Sequence, residues 1–148
     1  ATWYYQISEN SLCEPVQHYG FYLTPLQNFE KGKTVFYPHG YSNYFFHPTH
    51  PHELIIVSTE NNKVSILNCL SGEIVRTISK GKEYAFCNID PVTGNYLFRN
   101  SYYVLITNEN GDELFRMRSE DASPYLANNI LTCWAGAAIN VEPYLKKP

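Results

Sequence analysis

The chain is poor in several things that mark common functions. It has 11 Lys and Arg against 14 Asp and Glu, a formal net charge of −3, and no basic stripe. Nucleic acid is therefore a poor fit as partner. No apolar run approaches the roughly 20 residues of a membrane-spanning helix, so no membrane insertion is expected. None of the four cysteines lies in a CxxC pair, which argues against a zinc or redox motif. There is no GxSxG elbow and no phosphate-binding glycine loop. Asp and Glu are scattered over turns and strand ends, and no cysteine sits in an electropositive setting that would mark a thiolate. The chain reads as a non-enzyme with no cofactor. No segment shows amphipathic-helix periodicity, and the nearest approach is residues 120–129.

What is present points to strands. Aromatics make up 16% of the 148 residues, and 13 are Tyr. Tyr and Phe suit pleated surfaces, and Tyr also brings contact area with a polar tip to interfaces. The length predicts one domain, residues 1–148, large enough for a real core. Residues 1–8 predict a strand. Val16–Thr24 predicts the next strand or pair of strands, broken near Gly20, and the segment GKTVFYP closes a first unit. Tyr44–His47, Glu53–Thr59, Val64–Asn68 and Glu73–Ile78 predict four strands. The run Leu54, Ile55, Ile56, Val57 suits a strand buried on both faces. Glu83–Asn88, Asn95–Arg99, Tyr103–Thr107 and Glu113–Arg118 repeat the plan, with Asn110-Gly111 a strong hairpin signal. A shorter unit follows with Ile130–Trp134 and Ile139–Glu142, and the tail PYLKKP is expected to be loose.

These units recur. Tyr4, Tyr44 and Tyr84 correspond, as do Asn28, Asn68 and Asn108. In one ungapped register Val16, Ile56 and Tyr96 align, then Leu26, Ile66 and Ile106, then Val35, Val75 and Phe115. Gly32 and Gly72 match, with Gly111 one residue short. A four-stranded unit of about 40 residues is the signature of a propeller blade, since a lone meander needs a neighbour to cover its faces. The expectation is an all-β fold of antiparallel four-stranded blade-like repeats, a small or incomplete β-propeller. The units are about 4–43, 44–83 and 84–123, with a partial unit 124–148. It resembles WD-type propellers, although the Gly-His and Trp-Asp pairs of that family are absent. Thr2–Ser8 is a candidate to complete the short last unit; an open arc of stacked sheets and a plain β-sandwich are the alternatives.

Four cysteines allow three disulfide pairings. The repeat favours Cys13 with Cys133, at corresponding places in the first and last units, and Cys69 with Cys87. Ala1 is a small residue of the kind left by signal-peptide cleavage, and a trimmed start explains it equally well. An exported chain, periplasmic or secreted, is the expectation.

Two surfaces are candidates for function. His47, His50 and His52 invite a metal reading, but Pro48 and Pro51 stiffen the loop and limit wrapping around an ion. In a propeller the loops joining units, and those between second and third strands, share one face. That face would collect Pro38–Asn43, Glu60–Lys63, Ser79–Lys82, Arg99–Tyr103 and Ser119–Ser123, opposite the histidine loop. Their Ser, Asn, Gly and Tyr content suits an adaptable binding surface and equally suits solvated turns. The candidate contact residues are Tyr41, Ser42, Asn61, Asn62, Asn100, Ser101, Tyr102 and Tyr103.

With the start ATWYYQ, the cysteine usage and the segment NNKVSILNCLSGEIVRTI, the chain resembles the periplasmic immunity proteins of type VI secretion that inhibit cell-wall amidase effectors. The resemblance implies a secreted peptidoglycan hydrolase with a Cys–His site as partner, its cleft occluded by a loop. A polar side chain would pair a catalytic group that is costly to bury unpaired. Ser42 and Ser101, each beside a Tyr, are the candidates from loop geometry. A carbohydrate- or cell-wall-binding module is one alternative, and an accessory fragment of a larger propeller is another.

Overall fold

A computed structural model describes residues 3–10, 18–25, 33–37, 42–120, 123–133 and 136–147. The fold is all-β. The strands are β1 (Trp3–Asn10), β2 (His18–Pro25), β3 (Lys33–Tyr37), β4 (Ser42–Phe46), β5 (Glu53–Ser58), β6 (Val64–Asn68), β7 (Ile74–Ile78), β8 (Ala85–Ile89), β9 (Tyr96–Arg99), β10 (Tyr103–Thr107), β11 (Glu113–Arg118), β12 (Tyr125–Ala127), β13 (Ile130–Thr132) and β14 (Ala138–Asn140). Among the described residues they form four meander sheets, β1-β2-β3, β4-β5-β6-β7, β8-β9-β10-β11 and β12-β13-β14. The chain divides into two compact units, residues 1–60 with 64–77, and residues 61–63 with 78–148.

In the first unit β1 pairs with β2 from Trp3↔Pro25 to Asn10↔His18. β1 is thus an outer strand of the β1-β2-β3 sheet. β2 runs unbroken through Gly20, which is paired with Ser8 on one side and Phe36 on the other. In the next sheet β5 is central, between β4 and β6. Leu54 through Ser58 are all buried, so its apolar run is covered on both faces. Leu54, Ile56, Leu67 and Cys69 form one cluster, with Tyr44 and Phe46 packed against it. Burial of each such Leu or Ile contributes about 2 kcal/mol. The edge strand β7 leaves Ile74 and Val75 exposed.

The recurring Asn is a turn-maker. Asn68 Oδ1 accepts from Leu70 N at 2.9 Å and Ser71 N at 3.1 Å. Asn108 Oδ1 accepts from Asn110 N and Asp112 N, both at 3.0 Å. Each turn then needs a left-handed residue, supplied by Gly72 (φ 76°) and Gly111 (φ 87°). Asn28 lies outside the described residues.

In the second unit one face of the β8–β11 sheet contributes Leu97, Val104, Ile106 and Leu114 to a core shared with Leu126, Leu131 and Val141. A β-bulge between Ile106 and Thr107 lets both Leu114 and Phe115 reach that core. The other face carries Phe86, Tyr96 and Phe98, with ring centroids 5.9–6.5 Å apart. Residues 125–127 are strand, not helix. Asn128 (φ 50°) and Asn129 (φ 61°) make a two-residue hairpin turn there, which Asn tolerates without glycine. The tail is tied down through Lys146. A 3-10 turn spans Glu142–Tyr144, Leu145 packs on the core, and Lys146 N donates to Leu114 O at 2.8 Å.

Two polar residues join the last two sheets. Asn88 donates Nδ2 to Leu126 O at 2.9 Å and accepts from Leu126 N at 3.1 Å. Asp90 is 0% exposed. Its Oδ1 accepts from Val92 N (2.9 Å), Thr93 N (3.2 Å) and Asn128 N (2.8 Å), and its Oδ2 from Asn129 N (2.9 Å). Burial pushes this carboxyl up, but the donors of Asn129, Val92, Asn128 and Thr93 outweigh it and hold it below 3.8.

The proposed Cys69–Cys87 disulfide is not formed. Among the described residues Cys69, Cys87 and Cys133 carry thiols, and Cys13 lies outside them. Each sulfur serves its own sheet: Cys69 packs with Leu54 and Leu67, Cys87 against the core around Leu97. Burial pushes the Cys87 thiol up to about 11, with Arg99 opposing it.

Candidate partner-binding site

The loop Asn100–Tyr102 joins β9 to β10. Asn100 is its organiser, because its Oδ1 accepts from Tyr102 N at 2.8 Å and Tyr103 N at 2.7 Å. That Asx turn holds Ser101 and Tyr102 at the tip, where Tyr102 is 56% exposed. Ser119 N donates to Tyr102 O at 2.8 Å, so the predicted 99–103 and 119–123 loops do meet. Beside them Arg116 lies between two tyrosine rings, its guanidinium carbon 5.6 Å from the Tyr84 centroid and 5.4 Å from that of Tyr103. Arg116 Nε donates to Glu113 Oε1 at 2.6 Å and Nη1 donates to Tyr84 Oη at 2.5 Å. The bond to Glu113 does most to raise the Arg116 pKa. Two rings and two hydrogen bonds thus hold a partly exposed Arg in one orientation.

Other expected contacts are distributed differently. Asn62, at φ 58°, donates Nδ2 to Lys82 O at 2.6 Å, which brings the 60–63 and 79–82 loops together. Asn61 Oδ1 accepts from Lys63 N at 3.0 Å. Both amides are occupied in shaping turns. Lys80 does not join the Tyr102 end: its Nζ donates to Gly111 O at 2.9 Å, in the turn at the other end of β10. Its long side chain follows an available carbonyl, not the loop it belongs to. Ser42 opens β4 opposite Ser58. Tyr41 lies outside the described residues.

The histidine loop has its own geometry. His47 is buried, and its Nδ1 accepts from Thr49 N and His50 N, both at 3.1 Å. A ring that accepts at Nδ1 is neutral with its proton on Nε2. Burial, then His50 and Arg76, bring the His47 pKa down to about 4. His50, His52, Glu53 and Arg76 line a shallow cleft of about 400 Å³, in which Arg76 Nη2 donates to Glu53 Oε1 at 2.5 Å. Among the described residues no three His, Cys, Asp or Glu side chains converge as a metal-ligating group.

Sequence reasoning named Tyr102, which is exposed on its loop, and did not single out Arg116, Tyr84 or Asp90. Arg116 comes near Tyr103 through the β10–β11 pairing, and Tyr84, in the turn before β8, meets Arg116 only in the folded sheet. The signal for Asp90 was the Asp-Pro pair after β8, which matches His47-Pro48 after β4.

The fold defines the class: an all-β protein of antiparallel, blade-like sheets, of the small or incomplete propeller type. No family model and no curated protein sequence matches the chain. Among solved structures it is similar to a β-propeller, BamB from Moraxella catarrhalis, with a TM-score of 0.51 and 14% identity. The likeness covers 85% of this chain and 39% of BamB, and at that identity it shows the fold alone.

Proposed function

We propose that this chain acts by binding another protein through the Tyr102 end of the β8–β11 sheet, without catalysis of its own. The observation that carries the reading is the Tyr84–Arg116–Tyr103 stack beside the exposed Tyr102. Tyr and Arg dominate the energetics of protein interfaces, and a pre-ordered side chain loses less freedom on binding. The partner we propose is a secreted peptidoglycan amidase held inactive, as in an immunity protein. Support for that partner, and for a periplasmic setting, comes from the sequence resemblance; the thiols at Cys69 and Cys87 withdraw the disulfide argument. A second reading, a carbohydrate-binding module, is favoured by the exposed rings of Tyr102, Tyr125 and Tyr144.

The test is titration of the purified chain against a Cys–His amidase encoded beside it, read by calorimetry and cell-wall hydrolysis. Inhibition with tight binding is expected. Replacing Ser101 and Tyr102 with Ala should cost about 2 kcal/mol of binding, roughly thirtyfold, with the unfolding midpoint unchanged. Unchanged affinity moves the contact elsewhere. No complex with the amidase, together with glycan-array binding lost in Tyr102→Ala, replaces the reading with the module.

A further inference from the structure

Strand β11 is the outer strand of its sheet, and among the described residues no strand pairs with its far edge. The backbone polarity of that edge follows from one bond. Ser119 N donates to Tyr102 O, toward β10. Bonded residues alternate along an antiparallel ladder, so Met117 and Phe115 turn their backbone groups to β10, and Arg116 and Arg118 turn theirs to the open edge. Near the start of β11 the edge already takes a donor, Lys146 N on Leu114 O.

The two arginines also share a side-chain face with Tyr103, which stands opposite Arg118. Arg116 is partly neutralised by Glu113. Arg118 is exposed and has no ion pair among the described residues, not even with nearby Glu120. Positive charge on an edge disfavours a second copy of β11, which would bring arginines against arginines. The same charge favours a negative strand.

We infer that the open edge of β11 takes an extended acidic segment of a partner protein as an added strand, with Arg116 and Arg118 reading its carboxylates and Tyr103 its apolar side chains. The inference rests on the protein-binding reading above.

The probe is a short labelled peptide of alternating Val and Glu, titrated into the isotopically labelled full chain. Binding is expected to shift the Arg116 and Arg118 amide signals and to weaken steeply with salt. Arg118→Glu should weaken it about tenfold or more, and the same peptide N-methylated on alternate amides should not bind. Arg118 has no ion pair to lose among the described residues, so its reversal leaves the fold intact, which the amide spectrum checks. Shifts confined to the Tyr102 loop, equal binding of a Val-Lys peptide, or an unchanged Arg118→Glu affinity would each overturn the added strand. The amidase titration separates the two levels. Loss with Tyr102→Ala but not with Arg118→Glu keeps the protein-binding reading and removes this one; loss with neither removes both.

Discussion

Asp90 is the residue whose replacement should be felt most. Its carboxylate is fully buried and takes four backbone N–H groups, two from its own turn and two from the Asn128–Asn129 turn. Asp90→Asn keeps the shape but leaves one acceptor oxygen. Whichever way the amide sits, an NH2 group faces a backbone N–H that had an oxygen. One charge-assisted bond is worth about 1.5–3 kcal/mol, and an orphaned buried donor adds to the loss. We expect Asp90→Asn to cost about 2–3 kcal/mol, and Asp90→Ala about 4 kcal/mol because no acceptor remains. For a chain of this size the Asn variant should lower the melting midpoint by about 4–12 °C. The carboxyl is held below 3.8 in the folded chain, so the unfolded chain takes up the proton first as pH falls. The stabilisation is present above that value and is lost as pH falls through it toward the folded pKa. Asp90→Asn should therefore lack this acid limb. Urea unfolding gives the energies, and hydrogen exchange at Asn128 and Asn129 reports the clamp itself. A variant within about 0.5 kcal/mol of wild type, or one with both amides still protected, would refute the reasoning.

Two further outcomes follow from single groups. His47 is neutral in the folded chain with its pKa brought from 6.5 to about 4, so stability should fall as pH drops through that window, by about 3 kcal/mol in all. His47→Asn places an oxygen where Nδ1 accepts and does not titrate; urea midpoints should then stay flat from 6.5 to about 4, and an undiminished slope would assign the effect to another group. Cys87, its thiol pushed up to about 11, should resist alkylation at neutral pH and react only on unfolding, as peptide mapping of iodoacetamide-treated protein will show. Fast labelling of the native chain would mean the sulfur is not held in the core.

Much of the fold was legible because the turn chemistry is local. Asn68 and Asn108 recur in sequence because each caps the same turn with its own side chain, and β6, β10 and β11 lie where period and turn signals put them. The loop that carries Tyr102 was legible as a turn because Asn100 caps it with its own side chain. Its neighbours were not. Tyr103 and Arg116 come from neighbouring strands and Tyr84 from the turn before β8, and only the folded sheet brings them together.

The repeat register shows how a pattern can be right about faces and wrong about residues. The ungapped register matches Ile56 with Tyr96. Strand pairing says otherwise: Leu54 stands opposite Leu67, Tyr96 opposite Thr107, and Leu67 corresponds to Thr107, so Leu54 is the true counterpart of Tyr96. The slip arises in the connections, Thr59–Lys63 in one sheet against the shorter Asn100–Tyr102 in the next. A slip of two residues leaves every side chain on the same face of a strand. Apolar still falls on apolar, and hydrophobicity cannot detect the error. The hydrogen bonds can. His47 Nδ1 accepts from the residues two and three positions on, and Asp90 Oδ1 does the same. These two are equivalent although one is an imidazole and the other a carboxylate. What distinguishes them is the second oxygen of Asp90, which leaves an acceptor for Asn129 after the local turn is capped. Installing Asp at His47 should thus preserve the first turn, and it should give that loop a buried negative charge that titrates, where the imidazole is neutral. His47→Asn should keep only the acid limb that Asp90 supplies below 3.8, and His47→Asp should change the acid dependence beyond it; identical acid limbs in the two variants would refute the equivalence.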